Sequence, residues 1–116
     1  MFLLSREVAV VPQAKITEYL LSDFHPDGRH KAQFFKSFGY TSDDWQSLER
    51  TLRQHILDYE VTKIEQSSFG TRYVVEGIIK APDGRRPLVR TVWFIRNGET
   101  VPQFVTAYPR ASKDHD

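Results

Sequence analysis

The chain has 116 residues, 40% of them hydrophobic and 13% aromatic, which is enough apolar material for one folded domain and argues against disorder. It contains no cysteine, which excludes disulfides, thiolate metal sites and cysteine nucleophiles and is typical of a reducing compartment. Arg6 and Glu7 interrupt the apolar start, so it is shorter than the apolar run of about 7–15 residues in a secretory signal. We therefore expect a cytoplasmic protein that does not contact a membrane.

Three helices are predicted in the first half of the chain. Pro12 precedes the first, at about residues 13–21, which carries Ile16, Tyr19 and Leu20 on one apolar face. A second at about 29–38 ends before Gly39, where a left-handed residue is favoured. Thr41 or Ser42 can cap the third helix. Its apolar residues recur at helical spacing. They are Trp45, Leu48, Leu52, Ile56 and Tyr59.

After Tyr59 the hydrophobic period changes from 3.6 to 2, which predicts strands. Four segments fit, and the turn residues between them are few enough to require antiparallel neighbours. The segments are 60–66, 72–80, 87–96 and 101–108, with residues 7–11 as a further short strand. The sequence thus predicts an α+β domain over residues 1–110, with N-terminal helices followed by a four-stranded antiparallel β-meander, and a flexible tail at 111–116.

The dipeptide Asn97-Gly98 predicts a type I′ turn, in which Arg96 pairs with Glu99. That register gives both faces of the last hairpin an apolar character. The helices can cover only one face, which leaves the other for an N-terminal strand, a partner or a second copy of the chain. One face would carry Val89, Thr91, Trp93 and Ile95 together with Pro102, Phe104, Thr106 and Tyr108.

The segment from His25 to Lys31 is the first candidate for chemistry. His25 and His30 are suited to proton transfer near neutral pH, and Arg29 and Lys31 can hold a phosphate at a helix start. The competing interpretation is a helix-entry loop in which Pro26 and Gly28 set the turn and the charges are solvated.

The second candidate is the hydroxyl-bearing set Thr91, Thr106 and Tyr108 beside Trp93, since hydroxyls on neighbouring strands can orient a phosphate. Ordinary cross-strand packing is the alternative.

Residues 72–110 hold 7 Lys/Arg against 3 acids, whereas residues 1–58 hold 7 against 8, so the sheet carries the basic excess. The basic excess can mark a phosphate-binding surface, but arginines that project from strands into solvent explain it equally well. His55 is expected at the surface or boundary of the third helix. No metal-binding, Walker or nucleophile-elbow motif is present, and no cofactor is expected.

The ordered motifs resemble a bacterial family of small domains of unknown function. The resemblance implies a domain that occurs alone, beside a small partner gene, or at the end of larger phage and toxin-like proteins. The residues that carry it span 15–109: Lys15 to Leu21, His25-Pro26-x-Gly28-x-x-Lys31-Ala32-x-x-Phe35, Phe38-Gly39, Phe69-Gly70-x-x-Tyr73, Gly77, Pro82 to Arg85, Thr91-Val92-Trp93 and Thr106-Ala107-Tyr108-Pro109.

More remotely, the layout is similar to the metal-independent ribonuclease toxins of the barnase–EndoU–colicin–RelE group. That resemblance implies RNA cleavage by attack of the ribose 2′-OH. His25 would be the general acid/base, with Lys31 and Arg72 or Arg90 stabilising charge and with Thr91, Thr106 and Tyr108 orienting the phosphate. His30 is the nearest candidate for a second proton-transfer group. We predict first a non-catalytic module that binds a cognate small protein or itself, second such an endoribonuclease, and third a small-ligand-binding or cystatin-like fold.

Overall fold

The computed structural model describes residues 1–110, and the predicted tail at 111–116 lies outside that range. The N-terminal segment contributes little regular structure. A 3₁₀ turn at Arg6–Val8 takes up the first two residues of the predicted strand at 7–11. What remains is a single parallel bridge, in which Val10 exchanges backbone hydrogen bonds with Pro102 and Phe104.

The first helix, α1, is α-helical at Gln13–Lys15 and continues as a π-helical turn at Ile16–Leu20. The π turn is defined by the Leu21 N–H, which donates to the Ile16 carbonyl at 2.8 Å, one residue further back than in an α-helix. Ile16 and Leu20 are fully buried, as the predicted apolar face requires. The wider turn leaves Tyr19 half-buried, between core and solvent.

Helix α2 spans Arg29–Ser37 and helix α3 spans Trp45–Asp58, both close to the predicted limits. Gly39 follows α2 with a φ of 103°, so the left-handed residue expected there is present. The Thr41 hydroxyl accepts the Asp44 N–H at 3.2 Å and so fixes the turn before α3. No helix in residues 1–110 is long and apolar enough to span a bilayer.

Four strands form one antiparallel sheet in chain order: β1 at Val61–Gln66, β2 at Gly70–Ile78, β3 at Leu88–Arg96 and β4 at Gln103–Pro109. The predicted α+β architecture of helices followed by a meander is thereby confirmed. Helix α3 covers the sheet face that carries Thr91 and Trp93, and α1 and α2 lie against β4. Trp93 is the largest fully buried side chain of the core.

The predicted register of the last hairpin is wrong. Only Gly98 of the Asn97-Gly98 pair has positive φ, at 80°, so the turn is not type I′. Trp93 then pairs with Phe104 rather than with Pro102. A β-bulge at residue 105 shifts the register again, since two consecutive residues of β3 lie opposite Thr106 and Phe104.

The bulge moves Thr106 and Tyr108 to the opposite face from the one predicted. Thr106 pairs with Val92 and Tyr108 with Arg90, whereas Thr91 pairs with Ala107. The predicted set of Thr91, Trp93, Thr106 and Tyr108 is therefore divided between the two faces of the sheet. Both faces have apolar parts, as expected, because the second face includes the buried Val74 and Val92.

Candidate functional site

Tyr19 lies at the centre of a group of polar side chains beside β4. Its hydroxyl is 2.8 Å from the Thr106 Oγ1 atom, and both side chains are half-buried. The π turn of α1 supplies Tyr19, and the bulge of β4 turns Thr106 towards it. Two local irregularities of the backbone therefore meet at this hydroxyl pair, and such irregularities are frequent at functional sites.

Two lysines lie over the Tyr19 ring. The Lys15 Nζ atom is 5.4 Å from the ring centroid and the Lys31 Nζ atom is 5.5 Å from it, within the range of a cation–π contact. Lys15 also donates to the carbonyl of the bulged residue, Val105, at 3.2 Å, and Lys31 donates to the Asp27 carbonyl at 3.2 Å. These carbonyls hold the two ammonium groups beside the phenol.

His25 contacts the same ring edge-on, with centroids 4.9 Å apart and planes at 75°. Its Nδ1 atom accepts the backbone N–H groups of Asp27 at 3.0 Å and Gly28 at 3.1 Å. An imidazole nitrogen that accepts carries no proton, so in this arrangement the proton lies on Nε2. The Arg29 N–H donates to the His25 carbonyl, so the amides of Asp27, Gly28 and Arg29 are all bonded to His25. The phosphate-binding role of Arg29 and Lys31 stays a prediction.

Gly28 brings α2 close to α1. A Cβ atom at this position would lie 2.3 Å from the Tyr19 carbonyl oxygen and 3.0 Å from the Tyr19 ring. Only glycine fits so close an approach, and the residues that follow it carry Lys31 over the ring. The motif His25-Pro26-x-Gly28-x-x-Lys31 therefore builds one side of the site.

The polar group opens into a shallow cleft of about 730 Å³, which we call the Tyr19 cleft. Glu18 and Asp27 line it as well, both exposed, so it is not uniformly basic. A neighbouring depression of about 470 Å³ is lined by His30, Lys31, Tyr108 and Pro109. Lys31 therefore lies between the two openings. The Tyr19 cleft is lined by Pro12, Ala14, Lys15, Glu18, Tyr19, His25, Asp27, Val105 and Thr106.

Arg90 and Tyr108 belong to an ion-pair network on the same sheet face as Thr106. Arg90 and Arg110 both donate to Glu76 at 2.8 Å, and Arg90 also reaches the Tyr108 hydroxyl at 3.4 Å. Partial burial acts to raise the pKa of Glu76, but the hydrogen bonds and charges of Arg90 and Arg110 outweigh it and hold that pKa below its usual value. Arg90 is thus paired with a carboxylate that it shares with Arg110.

Thr91 is in the core and not in the cleft. It is fully buried, and its hydroxyl lies 3.0 Å from the Nδ1 atom of His55 and accepts the Trp93 Nε1–H at 2.9 Å. The other nitrogen of His55 is 3.1 Å from the Gly77 carbonyl, which can only accept, so Nε2 donates there and Nδ1 accepts from Thr91. Every polar atom in this chain of hydrogen bonds has a partner.

His55 is only 2% exposed, so the prediction of a surface or boundary position is wrong. It was misplaced because a histidine at the margin of an apolar stripe is usually solvated, whereas here both ring nitrogens find partners across the sheet. Burial is the largest influence on the pKa of His55 and lowers it, against the opposing effect of the Gly77 carbonyl. The imidazole is therefore held neutral within the core.

Residues 3–111 match the family described as Domain of unknown function (DUF6883). The chain belongs to this family. The predicted resemblance to a family of unknown function is thereby confirmed in its coarse form, while the finer relation to ribonuclease toxins stays a prediction. No curated protein matches the chain in sequence.

Among solved structures, this DUF6883 domain is similar to a chain of the "Contact-dependent growth inhibition toxin - immunity protein complex from Klebsiella pneumoniae 342". The TM-score is 0.73 at 16% sequence identity, and the match covers 92% of this chain and 97% of that chain. At such low identity the likeness is one of fold.

The DUF6883 domain brings together some of the predicted site residues and separates others. His25, Lys31 and Thr106 meet around Tyr19, Arg90 and Tyr108 lie together in the Glu76 network, and Thr91 is in the core. Arg72 is exposed and 3.9 Å from Glu65. Sequence reasoning missed Lys15 and Tyr19, although their i, i+4 spacing on one helix face was a usable signal. Within residues 1–110 no group of three potential metal-ligating side chains is found.

Proposed function

We propose that this DUF6883 domain is a toxin-type endoribonuclease that cleaves RNA by transesterification, with the Tyr19 cleft as the place of cleavage. The observation that carries the proposal is the convergence of two ammonium groups, an imidazole and two hydroxyls around Tyr19. All of these groups except Lys31 line the Tyr19 cleft, and Lys31 lines the adjoining depression. Such a set binds a phosphodiester and supplies the donors that its transition state requires. The geometry therefore favours the second of the predicted functions over the first.

In the proposed reaction the ribose 2′-oxygen attacks the adjacent phosphorus and the P–O5′ bond breaks. The 2′-OH loses its proton to water in the open cleft, and the departing O5′ atom takes up a proton from the protein. The protein group then recovers a proton from water. The products are a 2′,3′-cyclic phosphate and a free 5′-OH. Every step uses groups of the chain, the RNA or water.

Lys15 and Lys31 supply the charge stabilisation. The phosphorane that forms during attack carries more negative charge than the phosphodiester, so two fixed cations stabilise the transition state more than the bound substrate. Both ammonium groups are held by backbone carbonyls before RNA binds, which reduces the cost of reorganisation. Thr106 orients the Tyr19 hydroxyl beside them.

The proton for O5′ comes from Tyr19 in this proposal. When Thr106 donates to the Tyr19 oxygen, the Tyr19 O–H is free to donate to O5′. The ammonium groups over the ring offset the charge of the phenolate. His25 would have to release the two amides held by Nδ1 before Nε2 could exchange a proton. We therefore assign His25 the donation of its Nε2–H to a phosphate oxygen.

A cognate partner fits the same proposal. The similar solved chain comes from a toxin–immunity protein complex, and a toxin-type nuclease in a cell requires a neutralising protein. We propose that a small immunity-type protein binds this domain. The predicted cytoplasmic location would place the domain beside its substrate.

The test measures cleavage of a single-stranded RNA by the purified chain in the presence of EDTA. We expect products that end in 2′,3′-cyclic phosphate. Tyr19→Phe should slow cleavage by about 10²–10⁴-fold, the usual contribution of a general acid. Lys31→Gln should slow it by about 10²-fold, as for loss of one transition-state donor.

Matched controls exist elsewhere in the chain. Tyr40 and Thr51 form a second tyrosine–threonine pair, 2.9 Å apart, and Tyr40→Phe removes the same hydroxyl away from the cleft. Lys36→Gln removes an ammonium that pairs with Asp23. Both controls should cleave at the parental rate. Equal activity of Tyr19→Phe and Tyr40→Phe would contradict the assignment of Tyr19, and absence of cleavage by the parent would contradict the function.

A non-catalytic binding module remains the second candidate because of one observation. Five apolar side chains among the first ten residues are exposed, which is unusual for a short segment. A partner that covers them would explain this. Growth that is unaffected by expressing the parent chain, together with a stable complex with the product of a neighbouring gene, would favour this candidate. The side chains are Met1, Phe2, Leu4, Val8 and Val10.

A further inference from the structure

A second cleft lies beside the Tyr19 cleft, on the sheet face opposite α3. It has a volume of about 610 Å³ and contains the Phe94 side chain and the cations Arg72 and Arg96. Lys15 and Val105 line both clefts, so the two openings are adjacent and share a wall. We call this opening the Phe94 cleft.

Phe94 is placed there by the strand pairing. Its neighbours across β3 are Arg72 on one side and Gln103 on the other. Gly70 makes room for the ring, because a Cβ atom at that position would lie 2.7 Å from the Phe94 Cζ atom. The ring is half-buried, so part of it remains open to the cleft. An aromatic surface flanked by guanidinium groups results.

The charge of the Phe94 cleft is predominantly positive. Lys15, Arg72 and Arg96 line it, and Glu65 is the acidic residue among the lining side chains. Arg72 and Glu65 are both about half exposed and 3.9 Å apart, which makes a weak, solvent-screened pair. Arg96 is exposed at the end of β3. Cations around an accessible aromatic ring are the composition of a single-strand-binding surface.

We propose that the Phe94 cleft is a stacking subsite for an unpaired base of single-stranded RNA, next to the nucleotide whose phosphate occupies the Tyr19 cleft. The proposal rests on the proposed function and adds the substrate class. A base in a duplex is already stacked and its faces are covered, whereas an unpaired base can lie on Phe94. Arg72 and Arg96 then contact the flanking phosphates. The subsite therefore selects unpaired RNA.

The experiment measures binding of a labelled 2′-O-methyl oligouridylate of roughly eight nucleotides, within the range of single-strand site sizes. This probe lacks the attacking hydroxyl, so the unaltered protein can be used. Phe94→Ala should weaken binding by about 5- to 150-fold, the range for one base–aromatic stack. Phe94→Leu keeps apolar bulk in the cleft without an aromatic face and should weaken binding similarly, whereas Phe94→Tyr should preserve it.

Arg96→Gln gives an independent measurement, because a surface arginine can be changed without disturbing the core. It should lower the slope of log affinity against log salt concentration by about 0.7, the value for one phosphate contact to a single strand. A duplex of the same sequence length should bind more weakly than the single strand. Equal binding of duplex and single strand would overturn the inference.

The outcomes separate this inference from the proposed function. If the parent cleaves RNA and both Phe94→Ala and Phe94→Leu bind the probe as tightly as the parent, the subsite is overturned and the nuclease stands. If the parent neither binds nor cleaves RNA, both fail. If Phe94→Ala weakens binding of a co-purified protein and leaves RNA binding unchanged, the cleft is a protein-binding surface and the inference is overturned.

Discussion

Two regions of this domain combine a histidine, a threonine and an aromatic side chain, and they differ in what surrounds them. In the core, His55, Thr91 and Trp93 form a closed chain of hydrogen bonds that ends on the Gly77 carbonyl. At the Tyr19 cleft, a histidine, a threonine and a tyrosine meet beside two lysines in a half-exposed setting. Similar residues therefore form a structural cluster in one region and a candidate site in the other.

The difference lies in which polar atoms remain available. In the core each donor and acceptor has a partner within the protein, so the set can stabilise the fold but can offer nothing to a ligand. In the cleft the ammonium groups have a carbonyl each and spare N–H donors, and the Tyr19 hydroxyl is reachable. Availability, and not residue type, distinguishes a structural cluster from a candidate site.

The largest effect should follow from Thr91→Val. Valine has the shape of threonine but leaves the Nδ1 atom of His55 and the Nε1–H of Trp93 without partners in a dry core. Two orphaned buried groups should cost about 2–4 kcal/mol in the free energy of unfolding, measured by chemical denaturation. Thr106→Val is the control, because the half-exposed Tyr19 hydroxyl can hydrogen-bond to water instead. This variant should lose less than about 1 kcal/mol in the free energy of unfolding. Equal losses would contradict the contrast between the regions.

Gly28→Ala should affect the cleft through crowding. The new methyl would meet the Tyr19 carbonyl at 2.3 Å, so α2 must move away and take Lys31 with it. We expect a loss of about 1–3 kcal/mol and slower RNA cleavage. Backbone strain does not contribute, because the φ of Gly28 is −96°.

Gly84→Ala is the matched control for that change. Its Cβ meets nothing within 4 Å, but its φ of 90° disfavours alanine. It should lose about 1–2 kcal/mol and cleave RNA normally. If Gly28→Ala also cleaved normally, the close approach of the two helices would be irrelevant to the site.

The pH dependence of stability should report on the core histidine. The unfolded chain takes up a proton on His55 near pH 6.5, whereas burial lowers the pKa of His55 in the folded state. Between these two pKa values His55 is protonated in the unfolded chain but not in the folded one. The free energy of unfolding is therefore highest above about pH 6.5 and falls as the pH drops below it. One such group gives a slope of at most about 1.4 kcal/mol per pH unit.

Denaturation midpoints measured between pH 5 and 7 would check this, in a range where most carboxylates stay ionised. His55→Gln should flatten the profile. A parental profile without a decline towards pH 5 would contradict the burial of His55 as a neutral group.

The fold was readable from the sequence to a greater extent than the register was. The change of hydrophobic period at Tyr59 located the junction, because period depends only on which face is buried. The register depended on one turn and one bulge. Asn97 does not adopt the positive φ that its sequence suggests, and nothing in the apolar alternation marks residue 105 as an extra one. Two local backbone events therefore moved Thr106 and Tyr108 to the other face.

The candidate site was readable only in part, for the same reason. His25 and Lys31 were found because their chemistry and spacing are local. Tyr19 was assigned to the apolar face of its helix. The π turn and the bulge bring its hydroxyl to that of Thr106, which is 87 residues away in the sequence. Long-range pairs of this kind are set by register, which the sequence did not fix.

The smallest effect on stability should come from substitutions of His25. Two of them distinguish a structural role in the loop before α2 from a role in RNA cleavage. His25→Ala removes the acceptor for the amides of Asp27 and Gly28 and should cost about 1 kcal/mol, as for loss of a helix cap. His25→Asn places an amide oxygen where Nδ1 lies and should recover all but a few tenths of that. Its rate of RNA cleavage decides the role of the imidazole. If Tyr19 provides the proton, His25→Asn loses only one donor to phosphate and remains faster than Tyr19→Phe. If His25→Asn is stable and as slow as Tyr19→Phe, the imidazole exchanges the proton, and the loop must then release Nδ1 during the reaction.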